Sequence, residues 1–471
     1  MFDQVASQRK MECEASLARL SESGARFAQM EFSDINGVFR GKLTTLEKGL
    51  STSGTGVSTL MMSARSGDEI VLTEWSDFSN GFPKMVAVAD PGTATEWPWN
   101  PEIAGVLCDL FMEDGSPCPL DGRQMLRRIA SEYADLGIEA RAALEWEFYL
   151  YEVDDALMRE KRYRELKTFG RGLDFYSVTR TPSFAPLAIE FLSRTKSVDI
   201  DVEVFHTEYG HGMYEYTCGH ETALKAADDA VRSKAYLRQL CDELSVVPTF
   251  MPALHRGTND SANGCHHNVS LWRDGRNAFW DPQTEQLTEI GRWFAGGVLA
   301  TMSDFHLVMR PWVNSYRRFD HQAWNPVDAS WGLDNHAVAL RLVHGSVPAK
   351  HTRFEHRAPS PDVNPYLSLA AILWGGLYGI RNKIEPPPLC VGDPVEQGGY
   401  AALPSTLPAS IAAFTESPLA RECFGDQFVE LYAQLKNDEW NAYVDWCKES
   451  GTDPAGSEIT AWEFQQYFNW C

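Results

Sequence analysis

The segment that most constrains this chain is 144–150, which reads Leu-Glu-Trp-Glu-Phe-Tyr-Leu. Its aromatic and aliphatic composition is typical of a β-strand. Side chains alternate along a strand, so Glu145 and Glu147 point to the same face. Two carboxylates on one face repel each other unless a cation or a proton lies between them. The segment is therefore either a solvent-exposed strand face or one wall of a metal site.

The segment 205–215 carries two more carboxylates, Glu208 and Glu215, with Gly210 and Gly212 between them. Glycine permits the tight turns that join two strands. The pattern predicts a hairpin that brings Glu208 and Glu215 together. An ordinary polar turn is the alternative for this segment taken by itself.

The segment 263–271 is interpreted as a strand that carries a histidine. Alternation puts His266, Asn268 and Ser270 on one face. Imidazole is the commonest nitrogen ligand of metals in proteins. A hydrogen-bonded core histidine is the alternative interpretation of His266.

Positive charge concentrates around the segment 353–357. Arg353, Glu355 and Arg357 share a face by the same alternation. They form either a surface ladder of ion pairs or an anion cradle that holds one metal-ligating carboxylate. Further arginines in this part of the sequence are Arg317, Arg318 and Arg341.

Together the four segments offer five carboxylates, one imidazole and a set of arginines. Hard oxygen ligands in this number suit Mg²⁺ or Mn²⁺ better than Zn²⁺. Arginines beside them suit phosphate and carboxylate groups. The sequence therefore indicates a site for a metal–nucleotide complex and phosphoryl transfer.

Overall charge excludes several other classes of partner. The chain has 42 Lys+Arg and 65 Asp+Glu, a net charge of −23, so we expect it to bind neither nucleic acid nor a membrane surface. It has no apolar run of about 20 residues and no signal-peptide pattern. Its ten cysteines contain no C-x-x-C pair and are expected to be reduced thiols. These features predict a cytoplasmic protein.

A domain boundary is predicted near Cys118, which two prolines flank. Before it, the turn Asn36-Gly37 within residues 25–42 predicts a hairpin. The remaining predicted elements are strands at 69–72, 84–89, 105–111, 139–153 and 246–252, helices at 122–136, 221–244 and 365–380, and a mostly helical tail from residue 410.

The order and wording of the motifs resemble the glutamine synthetase superfamily. The matching pieces are Glu145-Trp-Glu147-Phe, Glu208 with Glu215, Gly264-Cys-His266-His-Asn-Val-Ser270-Leu, Asn314-Ser-Tyr-Arg-Arg318, Arg353-Phe-Glu355-His-Arg357 and Asn364-Pro365-Tyr366-Leu367. The resemblance extends from residue 25 to the C-terminus.

The resemblance implies an α+β fold. A β-grasp-like domain would span residues 1–118, and a catalytic domain with a curved antiparallel sheet and helices would span residues 119–471. The resemblance also implies rings of subunits, commonly stacked as a dodecamer, with the active site between neighbouring subunits.

Roles for individual residues also follow from the resemblance. A first metal would be held by Glu147, Glu208 and Glu215. A second metal would be held between the nucleotide phosphates by Glu145, His266 and Glu355. The glutamate carboxylate and the reacting phosphate would be gripped by Arg318 and Arg357. The nucleotide would be bound by Arg341, Arg353, Ser270 and Asn268.

Two departures from the family pattern concern the amine. The family holds ammonium with an Asp of the N-terminal domain, and the matching segment 54–59 has no Asp. A Glu of the family's flap is replaced by Trp324. Fewer acids and an added indole suit a larger amine with an apolar part. Trp312 and Trp331 favour the same interpretation over a polyamine.

Other departures concern the remaining parts of the site. His336 stands where an active-site Arg is usual, and Ser261-Ala262 replaces an Asn-Gly that binds glutamate, unless Asn263 and Gly264 take over that role by a register shift. The segment 385–392 lacks the Tyr of the adenylylation loop, so regulation by adenylylation is not expected.

The function predicted from the sequence is an ATP-dependent ligase that joins the γ-carboxylate of glutamate to an organic amine through γ-glutamyl phosphate. It would use roughly two to three Mg²⁺ or Mn²⁺ ions per site. One alternative is a glutamine synthetase that uses ammonium. Another is a catalytically inactive structural or sensor relative, which His336 favours and the intact set of metal ligands opposes.

Overall fold

Two β-sheets with helices packed around them organise the chain. The computed structural model describes residues 2–170, 175–255, 261–318 and 324–470, with side chains from residue 9 onward. The mixed helix and sheet fold that the sequence predicts is confirmed.

The α-helices of the described residues are numbered in chain order. They are α1 Phe2–Glu22, α2 Leu46–Gly49, α3 Gly122–Ala134, α4 Asp155–Lys161, α5 Thr181–Ser197, α6 Ala223–Glu243, α7 Glu289–Thr301, α8 His306–Met309, α9 Pro348–His351, α10 Pro365–Asn382, α11 Pro394–Gln397, α12 Leu407–Glu416, α13 Pro418–Phe424, α14 Asp426–Ser450 and α15 Ala461–Tyr467. Short 3₁₀ turns lie at Thr59–Met62, Ser66–Asp68, Pro91–Thr93, Val178–Arg180 and Asn314–Arg318.

The strands of the same residues form two main sheets and a small hairpin. They are β1 Phe27–Ser33, β2 Phe39–Thr45, β3 Thr55–Ser58, β4 Lys84–Ala89, β5 Thr95–Trp97, β6 Asn100–Met112, β7 Glu139–Glu152, β8 Val202–Thr207, β9 Met213–Cys218, β10 Glu221–Thr222, β11 Val246–Thr249, β12 Cys265–Arg273, β13 Arg276–Asn277, β14 Trp280–Asp281, β15 Gln286–Leu287, β16 Trp331–Leu333, β17 Leu340–Val343 and β18 Arg353–His356.

The first sheet has the order β2-β1-β6-β4-β3, with β5 also paired to β6. The pair β1–β6 is parallel, and β1–β2 is the antiparallel hairpin expected around Asn36-Gly37. Gly37 has φ +88° in this turn, a conformation that residues with a side chain rarely adopt.

The second sheet is larger and curled, and it carries the predicted motifs. Its order over the described residues is β16-β17-β18-β12-β7-β9-β8, with β10 and β11 on β7 and β13 on β12. The pairings are antiparallel except for β16–β17. The central strands β12 and β7 therefore hold the middle of the sheet, with β18 on one side and β9 on the other.

Strand β7 has one apolar and one acidic face. Leu144, Trp146 and Phe148 are fully buried, and α6 packs against this strand. Glu145 and Glu147 lie between them in sequence and are only half-buried, on the opposite face. Burial of the apolar face therefore determines which way the two carboxylates point.

Most predicted elements are confirmed, including the helices that became α3, α6 and α10 and the strands that became β7 and β11. The predicted strand at 69–72 is wrong. That segment makes only the isolated bridge between Ala64 and Ile70 over the described residues, and Ile70 and Leu72 are each 51% exposed. An exposed apolar pair without sheet partners does not form a strand.

Buried ion pairs join the first sheet to the rest of the chain. Arg232 of α6 lies 2.8 Å from Glu31 of β1, and Arg123 of α3 contacts Asp109 at 2.7 Å and Asp228 at 2.8 Å. Removing one partner of a buried ion pair leaves the other charge buried without a partner, which is strongly destabilising. These ion pairs therefore hold the first sheet against helices α3 and α6. A domain boundary at residue 118 stays a prediction.

Two further expectations concern membranes and cysteines. None of the described helices combines the length and the apolar character that crossing a membrane requires. The described cysteines, from Cys13 to Cys447, are buried free thiols.

The substitution Gly37→Ala tests the hairpin turn. An added Cβ would lie 2.9 Å from the Cα of Asn364, the residue that caps α10. We expect the free energy of unfolding to fall by about 1–3 kcal/mol more than backbone strain alone would cause, and this fall should appear as a lower thermal midpoint. The control is Gly399→Ala, where φ is +86° and the added Cβ meets no described atom within 4 Å. Equal losses in both variants would contradict the packing role of Gly37.

Candidate active site

A cavity of about 640 Å³ opens on the inner face of the second sheet. Most of the side chains that line it are of three kinds. The carboxylates and imidazoles are Glu145, Glu147, Glu208, Glu215, Glu355, His266 and His336; the guanidinium groups are Arg318, Arg341, Arg353 and Arg357; the aromatic rings are Phe175, Tyr176, Tyr209 and Trp324. The four motif segments are thus brought together, as the sequence predicts.

Strand register determines the order of these groups across the sheet. The residues that face each other on neighbouring strands are Arg341 and Glu355, Asn268 and Glu355, His266 and Glu145, Glu147 and Glu215, and His206 and Glu215. Positive charge therefore lies at the β17–β18 side, and carboxylates accumulate toward β9 and β8.

The first cluster of candidate metal ligands is Glu145, His266 and Glu355, whose ligand atoms lie within 4.8 Å of one another. His266 Nδ1 is 3.4 Å from a Glu145 oxygen and 3.6 Å from a Glu355 oxygen. Burial acts to raise the pKa of Glu355, but Arg357, His266 and Arg341 outweigh it and lower this pKa to about 2. Glu355 is therefore a permanent anion at neutral pH.

The second cluster is His206, Glu208 and Glu215, within the same 4.8 Å limit. Burial raises the pKa of Glu215 to about 7, with further increases from Glu145 and Glu147 that outweigh the hydrogen bond from His206. Burial and then Glu147 raise the pKa of Glu208. Mutual repulsion and burial therefore make these carboxylates easier to protonate than free carboxyl groups.

Glu147 lies between the two clusters. One of its oxygens accepts a hydrogen bond from the Gly264 amide, and the other is 4.0 Å from His266 Nδ1. A Cβ on Gly264 would lie 2.9 Å from His266 Nε2 and 3.0 Å from Arg318 Nη2. Glycine at 264 therefore lets the side chains of Glu147, His266 and Arg318 approach one backbone position.

The donor set fits divalent cations. Hard carboxylate oxygens, with an imidazole in each cluster, surround a cavity in which their negative charges raise one another's pKa. A divalent ion removes this repulsion more effectively than single protons would. The predicted ligands Glu145, Glu147, Glu208, Glu215, His266 and Glu355 all line the cavity, and their individual roles stay predictions.

The arginines form the opposite side of the cavity. Arg341 and Arg357 each donate a hydrogen bond to Glu355, one from each side. The buried Nε atoms of Arg318, Arg341 and Arg357 find no hydrogen-bond partner among the described residues. Burial lowers the pKa of Arg318 to about 10, which leaves it positive at neutral pH. Positive groups with unused donors suit an anionic ligand.

His336 lines the same side of the cavity. Burial, followed by the positive charges of Arg341 and Arg357, lowers its pKa. The imidazole is therefore neutral at neutral pH and does not replace the charge of an arginine.

A second cavity, of about 390 Å³, shares Glu145 and Arg353 with the first. Asn268 lies at the junction: its Nδ2 donates to Glu145 at 2.7 Å, and its Oδ1 accepts from Arg353 Nε at 2.8 Å. Ser270 also lines this cavity, 2.9 Å from His220 Nε2. The residues that the sequence places near a nucleotide therefore line this second cavity. Asn268 connects it to the candidate metal ligands through its hydrogen bond to Glu145.

Not every predicted residue reaches the cavity. Ser261 and Ala262 line it, whereas Asn263 is fully buried and donates its amide hydrogen to the Met251 carbonyl at 2.8 Å. This geometry disfavours the register shift that would let the Asn263 side chain bind substrate. Trp324 lines the cavity and is 55% exposed.

Two groups were missed in the sequence. His206 lies on β8, two residues before Glu208, which follows the last residue of that strand, and alternation applied to residues 205–208 would have placed both on one face. Phe175 and Tyr176 lie in a stretch without a periodic pattern, and only the three-dimensional structure brings them to the cavity.

The pH dependence of metal binding follows from Glu215. A carboxylate must lose its proton to ligate a metal, so a pKa of about 7 makes protons compete with the ion. We expect Mn²⁺ affinity to fall by up to about tenfold per pH unit below pH 7 and to level off above it, measured by calorimetry. Glu215→Gln should flatten this profile, and an affinity independent of pH in the unmodified protein would contradict the assignment.

Comparison with known proteins agrees with this geometry. Residues 119–467 match the family model described as "Glutamine synthetase, catalytic domain". A relative from Pseudomonas sp, named glutamate–isopropylamine ligase, is 32% identical over 410 residues, which cover 86% of this chain and 89% of the relative. The glutamine synthetase of Pyrococcus abyssi is 29% identical over 460 residues, which cover 94% of this chain and 96% of the relative.

A solved structure of GmaS without ligand shares the fold, with a TM-score of 0.77 at 24% identity over 95% of this chain and 97% of that one. The family match covers well over half of the chain and includes every candidate ligand above. The chain therefore belongs to the glutamine synthetase family and is an ATP-dependent carbon–nitrogen ligase of that type.

Proposed function

We propose that this ligase joins the γ-carboxylate of glutamate to an organic amine with an apolar or aromatic part. The observation that carries the proposal is an aromatic wall, formed by Phe175, Tyr176, Tyr209 and Trp324, on the carboxylate side of the cavity. The name of the Pseudomonas relative, glutamate–isopropylamine ligase, supports the same substrate class.

The aromatic wall is a continuous set of rings. Phe175 stacks on Tyr176 with centroids 4.1 Å apart, Phe175 meets Tyr209 edge-on at 5.9 Å, and Tyr209 meets Trp324 edge-on at 6.0 Å. Such faces attract both apolar groups and ammonium cations. An ammonium ion alone has no apolar surface to bury there, whereas an alkylamine or arylamine does.

The neighbouring carboxylates suit a protonated amine. Burial of Tyr176 raises its pKa, and the negative charge of the nearby Glu208 carboxylate raises this pKa further. Glu208 and Glu215 both line the cavity beside the rings. The organic part of an amine is therefore stabilised by the aromatic rings, and carboxylate oxygens that do not bind a divalent ion lie beside its cationic end.

The reaction has two steps. A γ-carboxylate oxygen of glutamate attacks the γ-phosphorus of ATP, the bond to the β-phosphate oxygen breaks, and ADP leaves. The bound ammonium group then loses a proton to a cavity carboxylate, and the neutral amine nitrogen attacks the acyl carbon. The bond to the phosphate oxygen breaks, inorganic phosphate leaves, and the nitrogen releases a second proton to form the amide. Divalent ions held by the two carboxylate clusters would neutralise charge on the phosphates.

The chain's own residues position the anions. Arg357 and Arg341 bracket Glu355 and present positive charge to the phosphate side of the cavity. Arg318 donates to the Ala358 and Pro359 carbonyls at 2.9 and 3.1 Å, which holds the backbone after Arg357 in place. This arrangement is built before substrate arrives, so little reorganisation opposes charge transfer.

Two other functions compete with this proposal. A glutamine synthetase that uses ammonium is favoured by relatives of that name, including the one from Pyrococcus abyssi. A catalytically inactive relative is opposed by the complete set of cavity-lining ligands. We also infer assembly into rings, with a dodecamer as the expected form, and a cytoplasmic location.

A phosphate-release screen separates these functions. With ATP, glutamate and Mg²⁺ or Mn²⁺, we expect isopropylamine, longer alkylamines and anilines to give kcat/KM values at least about tenfold above that of ammonium, because each buried apolar group adds binding energy. Ammonium as the best substrate would favour a glutamine synthetase. No release with any amine would favour the inactive relative.

The substitution Trp324→Glu tests the aromatic wall directly. Because it removes the indole and adds a carboxylate, kcat/KM should fall for the organic amine and rise for ammonium, which shifts their ratio by about tenfold or more. Phe78→Glu is the control, since Phe78 is 80% exposed and does not line the cavity. An unchanged ratio in Trp324→Glu would show that the wall does not select the amine.

A further inference from the structure

We propose that His206 is a nitrogen ligand of the divalent ion held by Glu208 and Glu215, so that this half of the site prefers Mn²⁺ to Mg²⁺. The inference rests on the proposed function, because it adds a ligand to a site that the ligase reaction uses. It goes beyond the family pattern, which implies only carboxylates for this ion.

The donor atoms are spaced for one shared ion. His206 Nε2 lies 3.2 Å from a Glu215 oxygen, and the ligand atoms of His206, Glu208 and Glu215 all lie within 4.8 Å of one another. Two donors that bind one ion at about 2.1 Å each and at right angles lie about 3 Å apart. His206 and Glu215 already have this separation.

The hydrogen bonding of the imidazole favours a ligand role. His206 Nδ1 lies 3.3 Å from the Thr207 carbonyl oxygen and 3.7 Å from a Glu208 oxygen, two acceptors that favour a proton on Nδ1. With the proton on Nδ1, the Nε2 lone pair is directed at a Glu215 oxygen 3.2 Å away, a separation at which either a proton or a divalent cation lies between the two atoms. A histidine whose Nδ1–H is fixed by a backbone carbonyl is the usual arrangement of a metal ligand.

The ring is also held in place from the side. Tyr176 packs edge-on against the imidazole, with centroids 4.9 Å apart and an interplanar angle of 74°. The register pairs His206 with Glu215 across the β8–β9 hairpin. Backbone pairing and ring packing therefore preset the direction of Nε2, as a ligand position requires.

The two halves of the site then have matching composition. Glu145 and Glu355 share His266 in one half, and Glu208 and Glu215 share His206 in the other. Imidazole binds first-row transition metals better than it binds Mg²⁺, which prefers oxygen ligands and water. A nitrogen donor in the second half therefore shifts the preference of that ion toward Mn²⁺.

Pulsed EPR of Mn²⁺ bound to the full-length protein tests the inference without any turnover. The modulation from ¹⁴N reports imidazole coordination, and we compare the unmodified protein with His206→Ala, His266→Ala and the double variant. We expect each single variant to retain a nitrogen signal and the double variant to lose it. His211→Ala, a histidine of the same hairpin outside the cluster, should leave the signal unchanged.

Calorimetry with Mn²⁺ or Mg²⁺ alone gives the second readout. His206→Ala should weaken Mn²⁺ binding at one site by about tenfold or more and change Mg²⁺ binding by less than about twofold. His206→Gln, which keeps a polar side chain of similar length, should behave likewise and guards against misfolding of the alanine variant.

Several outcomes would overturn the inference. If His266→Ala alone abolishes the nitrogen signal, His206 does not bind the ion. If His206→Ala leaves Mn²⁺ affinity unchanged or increases it, His206 serves only as a protonated bridge between two carboxylates. Either result is compatible with amine-dependent phosphate release by the unmodified protein, whereas failure of the proposed function means that the unmodified protein shows no such release, whatever the EPR shows. Absence of any bound Mn²⁺ would overturn both.

Discussion

Repulsion among carboxylates on the inner face of one sheet is the constraint on which the rest of this structure depends. Burial of Trp146 and its apolar neighbours against α6 fixes the orientation of β7, and this leaves Glu145 and Glu147 on the cavity side. Antiparallel pairing with β9 then adds Glu215 opposite Glu147. Negative charge that folding gathers in this way is relieved by protons or by divalent cations, and the cluster of candidate ligands is therefore a consequence of the packing of the sheet.

Glu355 connects the acidic and the basic halves of the cavity. It faces His266 on one side and accepts hydrogen bonds from Arg341 and Arg357 on the other. Because these groups keep its pKa near 2, it offers a fixed negative charge to a cation while the arginines remain available to an anion. The net charge of −23 thus coexists with a local environment that suits anionic ligands.

Local alternation predicts much of the site, and long-range contacts determine the rest. Glu145 and Glu147 were predictable because residues 144–148 of β7 alternate between buried and cavity-facing side chains. The orientation of Asn263 was not, because its amide binds the backbone of Met251, a residue on a different segment. The aromatic wall likewise forms from three separate loops, so no sequence period marks it. A strand at 69–72 was predicted wrongly, because apolar residues do not pair without a sheet edge beside them.

Oxygen transfer from glutamate to phosphate tests the central claim most directly, which is that this site activates a carboxylate by phosphorylation. Glutamate labelled with ¹⁸O in its γ-carboxylate is supplied with ATP and the best amine, and the inorganic phosphate is analysed by mass spectrometry. Passage through γ-glutamyl phosphate transfers one labelled oxygen into each phosphate released with product. Phosphate free of the label, at the same yield of γ-glutamylamide, would contradict the account.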